Sequence, residues 1–200
     1  MDASTPVALI ILIATVAISL YTIYGNHTLL YKMMFSPFEA VRYNKWYTLI
    51  TSGFVHADLT HLLFNMFTFY FFAFQLESAV GAVNFLIIYF GSMVFADVIS
   101  LVKHKDNPNY RSLGASGAIS GVLFSAILYF PSSSLMIFPL PIPIPAPIFG
   151  LLYLAWCFYA ERNAQDNINH SAHLMGALAG IVITLAIDFS TLEGFLKNLL

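Results

Sequence analysis

Charge is scarce in this chain. Lys, Arg, Asp and Glu make up 9% of its 200 residues, against about 25% in a soluble domain. That excludes an ordinary water-facing surface, so much of the exterior must face lipid. Eight basic and ten acidic residues leave a formal charge of -2 with no basic block, which excludes the phosphate-tracking surface of a nucleic-acid binder. Cysteine is nearly missing too. Cys157 alone excludes an intramolecular disulfide and a multi-cysteine metal site, and it reads as a small apolar filler. The first residues, Met1 to Pro6, carry no positive charge ahead of the apolar run Val7 to Tyr24. A secretory signal has that charge and a shorter core of roughly 7–15 residues, so this run is expected to be a retained helix.

What is present is apolar sequence, 59% hydrophobic with a mean hydropathy of +0.79. Crossing the hydrocarbon takes roughly 20 apolar residues, and the chain offers six such stretches, at approximately 6–24, 57–76, 82–102, 114–130, 143–160 and 171–189. The expectation is an all-α polytopic membrane protein with one domain over 1–200. The first loop, 25–56, mixes Lys32, Glu39, Arg42 and Lys45 with Met33, Met34, Phe35, Trp46 and Tyr47, which suits a segment lying in the interface. A tight turn around Glu77 to Gly81 is expected to join the second and third stretches. Prolines 139, 141, 143, 145 and 147 forbid helix and favour an extended connector. The Asn-rich loop from Glu161 to His170 is expected to be a mobile cap. Asp97, the one intramembrane acid, is expected to snorkel or to pair with Lys103.

With six crossings, the first, third and fifth loops share one face whichever way the protein inserts. His61 follows the first loop, Ser116 the third and His173 the fifth. At 1.5 Å per residue, all three sit several ångströms below the same surface.

Serine needs an adjacent base to become a nucleophile, and His173 is the leading candidate because imidazole titrates near neutrality. No aspartate stands at a spacing that would orient His173, so the arrangement reads as a dyad. Gly114 and Gly117 flank Ser116 at a helix mouth, where backbone N–H groups are available to an oxyanion. His61 and Asn65, four residues apart, share a helix face and offer further donors, while His56 reads as structural. Gly117 and Gly121, like Gly176 and Gly180, have the spacing that lets helices approach closely. His56, His61, His170 and His173 form no zinc motif, having no His-Glu-x-x-His and no carboxylate within a turn on the same helix.

Four pieces occur in order: Trp46 with the run to Phe54, His56-x4-His61-x3-Asn65, Gly114-Ala115-Ser116-Gly117, and Ala172-His173-x2-Gly176-x3-Gly180. Together they resemble the rhomboid family of intramembrane serine proteases. The resemblance implies a six-transmembrane-helix rhomboid-like bundle with Ser116 as nucleophile and His173 as general base. It implies an oxyanion hole of His61, Asn65 and the Ser116 N–H, and no cofactor or metal. Its substrates would be single-span membrane proteins with small, helix-destabilising residues near the cut. The first loop would be a membrane-embedded hairpin, and the fifth-loop cap with its neighbouring helix would gate access. Two positions depart from the family: Tyr47 replaces the arginine after the first-loop tryptophan, and Ser120 replaces the aromatic that stacks on the histidine. A catalytically silent rhomboid-like scaffold for membrane clients is the alternative, and loss of the serine or histidine would mark it.

The resemblance also implies a cell-membrane protein with both termini cytoplasmic and the site opening outward. The charges oppose this orientation. Lys32, Arg42, Lys45, Lys103, Lys105, Arg111 and Arg162 lie on the loop-1/3/5 face, and only Lys197 on the other. The positive-inside rule would turn the site toward the cytoplasm.

Overall fold

The computed structural model describes residues 5–136, 142–164 and 168–199. The first helix, α1 (Pro6–Tyr24), opens with proline in its first turn, where a missing N–H costs nothing. The first loop is itself structured, as α2 (His27–Met33), α3 (Pro37–Tyr43), α4 (Thr48–Thr51) and a 3₁₀ turn at Ser52–Phe54. Asn26 and Ser36 cap α2 and α3 through their side chains.

The next helix, α5 (Leu59–Ala96), runs through both the second and third expected stretches. It bends at Gly81, whose φ of 79° and ψ of 162° interrupt the helix in a region that glycine enters without steric cost. Phe69 packs on Phe85 and Tyr89 at 6.3 and 5.6 Å between ring centroids, which folds the two halves of α5 against each other. Glu77 does not organise this bend. Its buried carboxylate instead accepts from the N–H groups of Val7 and Ala8 at 3.1 and 2.6 Å, satisfying donors that the start of α1 leaves orphaned.

A short α6 (Val98–His104) leads to α7 (Ser116–Tyr129), every residue of which from Gly117 to Leu128 is buried. Two strands follow, β1 (Ser134–Met136) and β2 (Pro143–Pro145), paired antiparallel with Leu135 opposite Ile144. The Ala146 N–H donates to the Ser133 carbonyl at 2.9 Å. Even-numbered amides of this segment therefore face β1, and Pro143 and Pro145 face away, where no donor is required. For that reason α8 (Ala146–Asn163) begins after Pro145 and not at 143 as expected. Pro147, expected in the extended connector, instead lies in the first turn of α8, where its missing N–H costs nothing; Pro139 and Pro141 lie outside the described residues. The chain ends with α9 (His170–Ile187) and α10 (Ser190–Leu199).

Among the described residues, three helical stretches are long and apolar enough to cross a membrane: Pro6–Tyr24, Leu59–His104 and His170–Ile187. Leu63, Phe64, Phe67, Val83, Leu151, Trp156 and Val182 are exposed, as lipid-facing residues should be. The core runs through α1, α5 and α7, with a second cluster joining Leu123, Phe124 and Ile127 to Ala146 and Ala177.

Candidate active site

Glycines bring α7 and α9 into backbone contact. A Cβ on Gly176 would overlap the Gly117 carbonyl, and one on Gly180 would overlap the Gly121 carbonyl. The same α7 glycines also pack closely on Ala96 and Ser92 of α5. Deeper in the crossing, the Ser125 hydroxyl reaches the carbonyls of Gly121 and Gly180 at 2.8 and 3.3 Å and accepts from Thr184 Oγ1 at 2.8 Å. Small residues permit the approach, and buried hydroxyls hold it.

This crossing joins the mouths of the two helices. Ser116 is the first residue of α7 and His173 lies in the first turn of α9. A Cβ on Gly117, next to Ser116, would stand 3.6 Å from the carbonyl of Ala172, next to His173. No side chain caps α7, and its first intrahelical bond is from Ile119 N–H to the Ala115 carbonyl at 2.9 Å. The Ser116 and Gly117 N–H groups are therefore among the donors a helix start leaves without an intrahelical partner. Ser116 borders a cavity of about 30 Å³ shared with Asp97, Ser112, Gly114, Asn169 and Ala172, enough for a water molecule. A larger cleft lies at the other end of α7, around Gln75, Ser132, Asp188 and Asn198. No histidine is among its described lining residues, so it is not the candidate site.

The segment before Ser116 is held from several sides. Phe35 and Ser112 exchange two backbone hydrogen bonds of 2.9 Å, and the Gly114 N–H donates to the Ser52 carbonyl at 2.9 Å. Gly114 has a φ of 111°, and a Cβ there would stand 2.8 Å from His61 Cε1 and Nε2. His61 thus lies against the chain two residues before the serine. Asn65 donates from Nδ2 to the His61 carbonyl at 3.0 Å, which occupies one of its two amide hydrogens. His56 is buried and engaged on both ring nitrogens. Nε2 accepts from the Ala115 N–H at 3.4 Å, so Nδ1 carries the proton and donates to Ser19 Oγ at 2.9 Å. The Ser19 hydroxyl in turn donates to the Phe54 carbonyl at 2.9 Å.

Loop charges extend this support. Glu39 pairs with Arg111 and Lys45 at 2.6 and 2.7 Å, and Arg42 pairs with Asp106 at 3.2 Å. The hydrogen bond from Arg111, followed by that from Lys45, holds the Glu39 carboxyl below its ordinary value of 4.5. These contacts tie the first loop to the third in a chain that has Tyr47 after Trp46. Asp97 does not pair with Lys103. It accepts from Ser112 Oγ at 3.4 Å, and Lys103 bridges to Glu161.

The two ends of the fifth loop are anchored; residues 165–167, the middle of the expected cap, lie outside the described part. Asn169 caps α9 by accepting from the Ala172 N–H at 3.0 Å, and its Nδ2 donates to Ser100 Oγ and Tyr110 Oη at 3.0 and 3.1 Å. Glu161 accepts from the Ser171 N–H at 2.9 Å. At the departing position, Ser120 Oγ meets Tyr153 Oη of α8 at 2.7 Å. The sequence reading missed Asn169, Glu161 and Tyr153. Only Asn169 carried a local signal, as a helix-capping residue just ahead of an apolar run.

The Rhomboid domain family matches residues 43–188. The chain belongs to the rhomboid family. It is similar to the putative rhomboid protease YdcA of Bacillus subtilis, with 31% identity over 70% of this chain and 66% of that protein. Rhomboid protein 1, mitochondrial, of Saccharomyces cerevisiae is 31% identical over 68% of this chain and 40% of its own length. Rhomboid protease GluP of Bacillus subtilis is 30% identical over 78% of this chain and 29% of its own. The chain thus spans between about three-tenths and two-thirds of these relatives' lengths. As a rhomboid it is a mostly helical, multi-pass membrane protein.

Proposed function

We propose that this rhomboid is an intramembrane serine endopeptidase that cleaves transmembrane segments through a dyad of Ser116 and His173. The observation that carries the reading is the glycine crossing of α7 and α9, which sets an uncapped serine mouth beside the turn that bears the histidine. In the reaction, Ser116 Oγ attacks the scissile carbonyl while His173 takes the hydroxyl proton. The tetrahedral oxyanion is held by the N–H groups at the mouth of α7, with His61 and Asn65 as side-chain donors. His173 then returns the proton to the leaving amine. Water reaching the cavity from the loop-1/3/5 face hydrolyses the acyl-enzyme, and no cofactor is needed. His56 and Gly114 shape the approach to Ser116, and Gly117, Gly121, Gly176 and Gly180 hold the two helices together.

We read the chain as one six-crossing domain in a cell membrane. The 46 residues from Leu59 to His104 measure about 69 Å as helix, enough for two passes of a hydrocarbon core of about 30 Å. The 14 residues of α7 reach only about 21 Å, but α7 is enclosed by other helices and meets little lipid. Substrates are single-span membrane proteins, presented on the side where α8 borders the site. The family pattern favours an outward-facing site with cytoplasmic termini. A carboxy-terminal tag digested by protease added outside sealed cells would reverse that orientation.

The test of the chemistry is cleavage of a single-span substrate in liposomes together with labelling by a fluorophosphonate. Ser116→Ala is expected to insert normally, to abolish cleavage and to lose the label, and His173→Ala to lose both. Full cleavage by Ser116→Ala, or inhibition of the wild type by chelators, would end the serine-dyad reading. Loss of neither binding nor folding in an inactive wild type would instead favour the scaffold.

A further inference from the structure

A second set of chemically active side chains meets where α8 packs on α9. Cys157 of α8 is 1% exposed and His170, the first residue of α9, is 5% exposed. One turn on stands His173. The Cys157 sulfur and one ring nitrogen from each histidine lie within 4.8 Å of one another. We propose that Cys157, His170 and His173 bind a zinc-class transition-metal ion, and that this ion switches the peptidase off. The inhibitory consequence rests on the function proposed above, whereas the site itself rests on the donors.

The donor set selects the metal. A thiolate with two imidazoles suits zinc and its soft neighbours and rejects magnesium and calcium, which take oxygen ligands. With Zn–S near 2.3 Å and Zn–N near 2.0–2.1 Å, a tetrahedral ion needs its donors about 3.4–3.6 Å apart. With all separations within 4.8 Å, each closes by at most about 1.4 Å to reach that geometry, a movement within reach of side-chain rotation. Histidines three residues apart share one helix face, and their rings meet edge to face with centroids 6.1 Å apart. The supporting shell is also in place. Trp156 stands perpendicular to the His170 ring, with centroids 6.5 Å apart. Tyr153, one turn before Cys157, is tied to Ser120 at 2.7 Å. Such neighbours orient ligands and tune affinity. Three protein ligands leave a fourth position for water.

Inhibition follows from the inventory of the ring. A neutral imidazole has one acceptor nitrogen. A metal ion on His173 takes that lone pair whichever tautomer is present, so the ring cannot accept the Ser116 proton. The ion would also clamp α8, which packs chiefly on α9, to the helix that carries the base. As the ion binds, the Cys157 thiol releases its proton to solvent, so binding strengthens as pH rises.

The experiment uses the full chain in detergent micelles and two probes. Cobalt(II) added to Ser116→Ala, which keeps all three donors, is expected to give a thiolate-to-cobalt charge-transfer band in the near ultraviolet and tetrahedral bands in the visible. Cys157→Ala in the same background loses the charge-transfer band, and His170→Gln weakens the whole spectrum. Zinc(II) is expected to inhibit wild-type cleavage reversibly. Cys157→Ala should keep the basal rate and need at least roughly tenfold more zinc for the same inhibition, the size of effect seen when a metal site loses support. A cobalt spectrum without a thiolate band, or equal zinc sensitivity in Cys157→Ala and wild type, overturns the proposal. If the wild type cleaves nothing, the peptidase reading falls, and the cobalt spectrum alone still decides whether the site exists.

Discussion

Two of the helices that pack on α9, α7 and α8, are built on opposite plans. On one side, α7 meets it through glycine, backbone against backbone, and is buried from Gly117 to Leu128. On the other, α8 turns Gly150, Cys157 and Ala160 inward and leaves Leu151, Leu152, Trp156, Phe158 and Tyr159 exposed. Among the described residues its polar ties include Tyr153 to Ser120 in the span and Glu161 to Ser171 and Lys103 at its end. On the proposed function, the contrast separates two demands on a peptidase inside a bilayer. A nucleophile and its base must keep a fixed distance, which close packing enforces. A substrate helix must still get in, and only a helix held by a few bonds can yield at modest cost.

Adding bulk to each interface tests this contrast most strongly. Gly176→Val has no space against the Gly117 carbonyl and is expected to cost about 3 kcal/mol or more and to abolish cleavage. Gly150→Ala on α8 meets only the movable ends of Ile127 and Phe124, at 3.3 Å, and should cost less than about 1 kcal/mol. Thermal unfolding in micelles followed by circular dichroism compares them, and equal losses would erase the distinction.

Removing polar glue gives a smaller effect. Ser125→Ala deletes contacts to Gly121, Gly180 and Thr184 and is expected to cost about 1–2 kcal/mol, with cleavage falling in parallel. Tyr153→Phe deletes one bond to Ser120 and should cost about 0.5–1.5 kcal/mol, yet cleavage should hold or rise as α8 loosens. A Tyr153→Phe protein that loses activity in proportion to stability would show that α8 belongs to the rigid half.

The least effect is expected at the loop edge. Glu39 is held below its ordinary 4.5, first by Arg111 and then by Lys45. A depressed carboxyl stabilises the fold above that ordinary value, and the contribution disappears as pH falls through it toward the folded value. Glu39→Gln should therefore lower stability at neutral pH by about 0.2–1 kcal/mol, the range of exposed pairs, and should flatten the acid side of the stability profile. An unchanged acid limb in Glu39→Gln would mean that the loops are held by their backbone bonds alone.

Much of the frame could be read in advance because its signals are local. Apolar runs marked the helices, Pro143 and Pro145 marked an extended segment, and four-residue glycine spacing marked faces able to meet. Other contacts left no local trace. Nothing near Glu77 says that its carboxylate will cap a helix beginning some seventy residues earlier. Nor does the spacing of His56 reveal Ser19 on one nitrogen and Ala115 on the other. Cys157 read as filler because its histidine neighbours lie on another helix. In lipid, helices are apolar all round, so periodicity does not distinguish the face that meets protein from the face that meets lipid.

The membrane setting, the approximate helices and the two mouths with Ser116 and His173 were written into composition and spacing, since length and hydrophobicity act residue by residue. Which glycine meets which carbonyl, what stands opposite Ser120 and which side chains surround His173 were decided only when the helices packed. Those contacts join residues far apart in the chain, and their pairing is set by the shapes of whole helix faces.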